Sequence, residues 1–367
     1  MNVQRSLGKM RALRCGAIAA AVTGSMAVAG PLYQITPISL PGQANSNGQG
    51  ISASGNFAAG TSNNTGVIWN QANGTVGLPA LPGRAFSLVQ DVNDSGVVVG
   101  TGATTFFGSS PLPVIWSNST TVAQLPLPAG ESLGRAFSIN NSGQVVGSVN
   151  GGSLESAAMF TTGGSSIITQ TMPNGGRLTT AYANNDAGRI VGQALNPGNA
   201  AVTNGFYIDP GDGTATDIGA LTSFGHNSAI AFAVSSNGLI AGSSSLNSGA
   251  GALPFIWSEG GGMSAVPLIV GTTTGSARGV NADGWVVGNM SSATSIPFLY
   301  DGATTFRLQD LLDASGAGWD LVSGTSNGAF GIGDDGTITG RALLNGQVTG
   351  FVMTLIPEPT TLTLAGL

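Results

Sequence analysis

Cysteine, histidine and lysine each occur once in this 367-residue chain, and charged residues make up only 8% of it. A single cysteine, Cys15, excludes an internal disulfide framework. One histidine, His226, and no second cysteine exclude a metal centre of the His/Cys type, and no cofactor is expected. The lone lysine, Lys9, lies near the N-terminus with Arg5, Arg11 and Arg14, so the remainder is acidic and carries no basic patch. Nucleic acid is therefore not an expected partner. Long apolar runs are also missing. The stretch "CGAIAAAVTGSMAVA" is too short for a membrane span; it follows the four cationic residues and ends in Ala27-Val28-Ala29. That order of basic, apolar and small-residue segments reads as a secretory signal peptide over residues 1–29. Cys15 precedes the apolar core of this segment instead of following it, which argues against a lipoprotein anchor.

What the chain has in excess is glycine, 59 residues, and a repeated short hairpin. "SINNSGQVVGS" centres on Gly143, and the same turn recurs at Gly55, Gly96, Gly188, Gly238, Gly284 and Gly336. Successive copies are 41, 47, 45, 50, 46 and 52 residues apart, the signature of a repeat array. Polar turn-forming residues precede each glycine, which accepts positive φ without Cβ strain. Asp94, Asp186, Asp283, Asp334 and Asp335 fall in these turns. Caps on their own turns are favoured over calcium ligands, because no unit supplies the further oxygens a calcium loop needs.

Two columns of mostly small residues precede the turn. Gly48, Val89, Ala136, Ala181, Ala231, Ala277 and Ala329 form one; Gly50, Asp91, Ser138, Ala183, Ala233, Gly279 and Gly331 form the other. At a strand's period of two they share one nearly bare face, and seven bare strands would crowd round a common axis. An aromatic or large apolar strand follows each hairpin, at Trp69, Trp116, Phe160, Phe206, Trp257, Tyr300 and Phe351. A recurring position favours a role in the core over a sugar-stacking platform. A weaker fourth strand follows, as in "TVGLPALPG" and "VAQLPLPAG".

Four short strands per unit predict an all-β fold, a seven-bladed β-propeller of four-stranded antiparallel blades over residues 30–355. An open β-solenoid is the alternative, with coils that usually repeat at shorter periods. "YQITPISLPG" near the start is an isolated fourth strand, and "GFVMTL" ends the seventh unit where that strand is missing. The N-terminal strand is therefore expected to complete the last blade and remove the open edges.

The unit "A-x-x-I-N-x-x-G-x-V-V-G" followed by "P-F-I-W" resembles the extracellular HAF-repeat proteins, although "PFIW", "PFLY" and "NGFY" replace the histidine-containing triplet of that family's name. The long segment leading into the last hairpin is similar to that family's closing repeat. The tail "IPEPTTLTLAGL" resembles the start of a PEP-CTERM sorting signal, with Pro357, Glu358 and Pro359 as its motif. It lacks the full apolar span and terminal basic cluster, so residues 356–367 read as an incomplete tail, truncated or defunct. The resemblance implies export by a Gram-negative bacterium to the exterior or outer cell surface. It also implies processing by an exosortase if the signal is complete, membrane contact only through the missing span, and an extracellular polysaccharide or envelope protein as partner.

Candidate chemistry is sparse. His226, in a loop between two units and with no nucleophile elbow in the chain, is expected to be solvated. Asp310, Asp313 and Asp320 in the long last insertion, or Asp209 with Asp212, could supply the carboxylate pair of a glycan hydrolase or lyase; solvated loops and turns are the favoured reading. Arg84 and Arg135 recur in "GRAF" and could meet an acidic polysaccharide or pair with a neighbouring carboxylate. The expectation is a non-enzymatic extracellular scaffold, with a carboxylate-dependent enzyme as the competing class.

Overall fold

A computed structural model describes residues 30–105, 108–151, 154–247 and 249–357. The signal-peptide reading of residues 1–29 and the sorting residues Glu358 and Pro359 lie outside these; Pro357 is exposed at their end. The fold is a seven-bladed β-propeller of antiparallel sheets, and in blades 1 to 6 the strands run in chain order from the axis outward. Blades 1 to 6 begin at the inner strands Ser46–Ile51, Phe86–Val92, Leu133–Ile139, Leu178–Asn184, Ser228–Val234 and Thr274–Val280. Blade 7 has the inner strand Gly328–Ile332, followed by Ile338–Leu344 and Gln347–Leu355. Its fourth strand is Tyr33–Ile38, paired antiparallel from Tyr33 opposite Leu355 to Ile38 opposite Gly350.

Burial is organised between blades. Seven apolar clusters each join one blade to the next; that of blades 2 and 3, for example, packs Val99, Ile115 and Leu125 against Ala136, Val145 and Phe160. The third-strand column forms this core as expected: Trp116, Phe160, Phe206 and Phe351 are fully buried, and Trp69 and Trp257 nearly so. Tyr300 differs. It is half-buried with its hydroxyl donating to the Gly302 carbonyl, and Phe298, two residues earlier, fills the core instead. The cluster holding blade 7 to blade 1 is the smallest, built from Ile38, Ala58, Val67, Trp69 and Val352.

The long insertion before the last hairpin is more than a solvated loop. Leu308, Leu311, Trp319 and Leu321 are buried in the blade 6–blade 7 core, and the Trp319 ring meets Phe351 edge-on at 6.0 Å. The insertion also covers the outer edge of the closing strand: Asp313 N–H donates to the Tyr33 carbonyl, and Ile35 N–H donates to Ser315 Oγ. A sheet edge that would otherwise offer free backbone groups is thereby spent.

Every inner strand carries a β-bulge. Pairing with the second strand slips between Gly48 and Gly50, Val89 and Asp91, Ala136 and Ser138, Ala181 and Ala183, Ala231 and Ala233, Ala277 and Gly279, and Ala329 and Gly331. The bulge pushes an inner-strand carbonyl onto the last residue of the "VVG" run in the second strand. A Cβ at Gly147 would overlap the Arg135 carbonyl oxygen, and Gly60, Gly100, Gly192, Gly242, Gly288 and Gly340 face the same obstruction.

The hairpin turns interlock around the ring. Asn140 Oδ1 accepts from Gln144 N–H within its own turn, while its Nδ2 donates to the Asn185 carbonyl of the next blade at 3.0 Å. Asn93, Asn185 and Asn281 donate forward in the same way, to Asn140, Ser235 and Gly333 carbonyls. Asparagine suits this position because its amide is an acceptor at one end and a donor at the other. The turn aspartates, expected to cap their own turns, largely reach across blades instead. Asp94 accepts from Ser54 N–H, Asp186 from Asn141 N–H and Asp334 from Ala282 N–H, whereas Asp335 stays within its turn on Thr337. The turns lie close enough round the axis for a short carboxylate to span from one to the next.

Two outcomes are expected. Gly147→Ala should lower unfolding free energy by about 2 kcal/mol or more through overpacking, while Gly164→Ala, with no atom near the added methyl, should stay within about 0.5 kcal/mol; urea unfolding measures both. Asn140→Asp should lose about 2 kcal/mol at neutral pH, since a carboxylate oxygen would face the Asn185 carbonyl where a donor stood. Part of the loss should return in acid, when the protonated carboxyl can donate, and melting curves across pH read this directly.

Candidate functional site

The bulge also decides what faces the axis. It breaks the alternation of side chains, so the residue between the two small columns turns inward. That residue is Gln49, Gln90, Phe137, Tyr182, Phe232, Arg278 and Phe330 in blades 1 to 7, and all seven line one axial cavity of about 270 Å³. The expectation of a bare face is corrected here. Ala136 and its counterparts pack within the blades, and only the second column, Gly50 to Gly331, reaches the axis, where neighbouring inner strands approach closely. Small residues permit that approach, and large ones then fill the space it leaves.

The wall is uneven. Phe137 and Tyr182 lie 5.5 Å apart by ring centroids, Tyr182 and Phe232 5.2 Å, all tilted. The Arg278 guanidinium continues this arc 4.0 Å from the Phe232 ring centroid, a geometry in which a cation meets the negative face of the ring. Desolvation by the surrounding wall pulls the Arg278 pKa below the ordinary arginine value, opposed by the nearby Tyr182, although the side chain stays open to the cavity. Blades 1 and 2 present Gln49, Gln90 and Asp91 instead.

Three carboxylates line this cavity, Asp91 within the wall and Asp186 and Asp334 among the hairpin turns; Asp91 is the buried one. Its Oδ2 accepts from the Ser138 hydroxyl at 2.8 Å and from Ile139 N–H at 3.0 Å, and its Oδ1 accepts from Val92 N–H at 2.9 Å. Burial nevertheless pushes its pKa up to about 6, because three hydrogen bonds only partly replace lost hydration. Asn141 stands at the turn end of the cavity, where its amide donates to both Asp94 and Asp186 at 2.7 Å.

The residues singled out from sequence are not gathered here. Asp310 is exposed on the short helical turn Leu308–Leu311. Asp313 caps the next such turn, accepting from Ser315, and Asp320 accepts from Val322 and Ser323 N–H, which hold its carboxyl below the usual range. Asp209 forms a two-pronged ion pair with Arg189, at 2.6 and 2.7 Å, and Asp212 accepts from Asp209 N–H. All but the exposed Asp310 therefore serve their own loops or pair with arginine. Arg84 packs beside Gly102; Arg135 lies against Gly108 and lines a separate cavity of about 290 Å³ with Ser148 and Glu155. His226 departs from the expected solvated state. It is 6% exposed, its Nδ1 3.3 Å from Ser244 Oγ, and burial lowers its pKa. The loop folds it against the strand of Ser244, whose hydroxyl donates on to the Ser228 carbonyl. Among the described residues no three His, Cys, Asp or Glu side chains are grouped to hold a metal ion, and no helix is long and apolar enough to cross a membrane.

The axial residues were not recognised from sequence. Their signal is a fixed place three residues before the first residue of each turn, masked by their chemical variety.

No protein-family model and no curated protein matches the chain. Solved structures do resemble it in fold. A catalytically inactive virginiamycin B lyase from Staphylococcus aureus, crystallised with quinupristin, has a TM-score of 0.52 at 13% identity, over 88% of this chain and all of that one. A streptogramin B lyase has 0.51 at 11% identity, over 88% of this chain and 98% of that one. The extracellular domain of a hybrid two-component system from B. thetaiotaomicron has 0.51 at 9% identity; the match covers 87% of this chain but spans only 39% of that domain. At such identities the likeness supports the propeller class and carries no activity across.

Asp91 should make stability depend on pH. Its folded pKa, about 6, exceeds the ordinary 3.8, so the folded state binds the proton more tightly. Its contribution is present in full below pH 3.8 and is lost as pH rises through 6. Urea unfolding at steps from pH 4 to 7 should show the gap between wild type and Asp91→Asn shifting in the wild type's favour as pH falls.

Proposed function

We propose that this chain is a secreted, non-catalytic β-propeller of the HAF-repeat type. It acts at the outer surface or in the extracellular matrix of a Gram-negative bacterium as a rigid scaffold for an extracellular polysaccharide or an envelope protein. The observation that carries this reading is how its polar groups are distributed. Of the carboxylates singled out from sequence, Asp209, Asp313 and Asp320 are committed one by one to arginine or to backbone N–H groups and Asp310 is exposed, while in the cavity Asp91, Asp186 and Asp334 are each hydrogen-bonded to the protein. Glycoside cleavage needs two carboxyl groups facing one bond. A ring joined by a core at every blade interface and by hydrogen-bonded turns suits a protein that presents fixed faces. The signal-like N-terminal segment and the Pro-Glu-Pro tail support the extracellular setting.

Mixing the purified chain with the producing organism's extracellular polysaccharide, and following co-sedimentation and polymer length together, tests this. Co-sedimentation with unchanged length is expected. Shortening of the polymer would replace the scaffold with a hydrolase or lyase, and neither effect would direct the search to an envelope protein.

A further inference from the structure

We infer that the axial cavity is a binding site for a single carboxylated sugar ring, a uronic acid, with Arg278 receiving its carboxylate. This deepens the polysaccharide reading above and rests on it for the setting in which such a sugar is met. Three observations on the cavity converge.

The first is an unspent cation. Arg189 has Asp209 and Glu259 as partners, but among the described residues the Arg278 guanidinium has no hydrogen bond or ion pair. It faces the cavity, exposed, with one face laid on Phe232. Stacking fixes the plane of the guanidinium and leaves its N–H edge open, and that edge matches a carboxylate two bonds at a time.

The second is the aromatic arc beside it. Phe137, Tyr182 and Phe232 stand on consecutive blades with half-buried rings. The rings are tilted to one another and Phe232 already carries the guanidinium, which leaves Phe137 and Tyr182 to meet the C–H face of a pyranose.

The third is the opposite wall. Among the described residues the side-chain amides of Gln49 and Gln90 make no hydrogen bond to the protein, though both line the cavity. Each offers an acceptor and donors, as sugar hydroxyls require. Asp91 beside them already accepts three hydrogen bonds, and the other two carboxylates of the lining are likewise taken, Asp186 by Asn141 and Asp334 by Ala282 N–H and the Ser236 hydroxyl, so the amides are the groups left to meet sugar hydroxyls. Blade 2 and blade 6 are three places apart round a seven-membered ring. A ligand joining Arg278 to Gln90 therefore spans the cavity. Its volume, about 270 Å³, stands at the small end of small-ligand cavities, which start at about 300 Å³, and suits one sugar ring.

Titration calorimetry of the purified full chain with sodium galacturonate, galactose and sodium benzoate tests the inference. Galacturonate should bind at least about tenfold more tightly than either of the others, because only it satisfies guanidinium, rings and amides together. Arg278→Gln should reduce galacturonate to the galactose level, Arg278→Lys should restore part of the difference, and Gln90→Leu should weaken galacturonate while sparing benzoate. Arg278 carries no packing core, so unchanged melting curves are expected and verify the fold. Equal binding of galactose, equal binding of benzoate, or no binding of any of the three would overturn the site. Trigalacturonate distinguishes a chain end from a free sugar: equal or tighter binding than the monomer supports chain-end capture, and binding of the monomer alone supports a free uronate. Co-sedimentation of Arg278→Gln with the polysaccharide separates the two proposals. If it matches wild type although galacturonate binding is lost, the scaffold stands on another face and the axial site takes a free uronate. If wild type itself does not co-sediment yet binds galacturonate, the site stands and the scaffold fails.

Discussion

The close approach of each inner strand to its neighbour is the constraint on which this propeller depends. Seven strands share one axis, and each is bulged so that a carbonyl oxygen lies where the second strand would carry a Cβ. Glycine at that position is the condition for the bulge, and the bulge in turn aims one side chain per blade at the axis. Geometry near the centre and chemistry along the axis therefore have a common origin. A change at Gly147 would disturb the packing of blade 3 and the placement of Phe137 together.

Two further sets of interactions keep the ring closed. Apolar clusters between blades exclude water, and the turn asparagines pass hydrogen bonds from blade to blade at one end of the axis. Closure falls to the blade with most to compensate. The joint of blades 7 and 1 has the smallest core, and there the N-terminal strand is paired on one edge by Gln347–Leu355 and covered on the other by Asp313 and Ser315. Asp313 thus protects an edge, a role that its place in an acidic-looking loop did not suggest.

The cavity sets aromatic rings, one arginine and two glutamines round a single axis. Its polar groups are divided into spent and unspent. Asp91 is held by three donors, whereas Arg278, Gln49 and Gln90 are not hydrogen-bonded to the protein among the described residues. Unspent donors beside aromatic rings are what a small polar ligand needs, and a framework would gain nothing from leaving them free.

Much of this architecture was legible in the chain itself, because the features responsible are local and repeated. The turn glycines all take positive φ, from Gly55 to Gly336, and the aromatic strands supply the core wherever an extended segment buries one face. The number of blades and the order of strands follow from that periodicity. Arg84, Arg135 and the loop aspartates stood out by charge, yet charge says nothing of direction, and the fold sends them to separate places. The axial column was hidden for a physical reason. A bulge is a property of two paired strands, and the rule of alternation that reads a single strand assigns Phe137 and Arg278 to the wrong face. Sequence alone therefore determined the repeat, its turns and its core, which depend on short-range backbone preference and burial. Only tertiary structure decided which seven side chains meet at the axis, because that meeting exists only once the ring has closed.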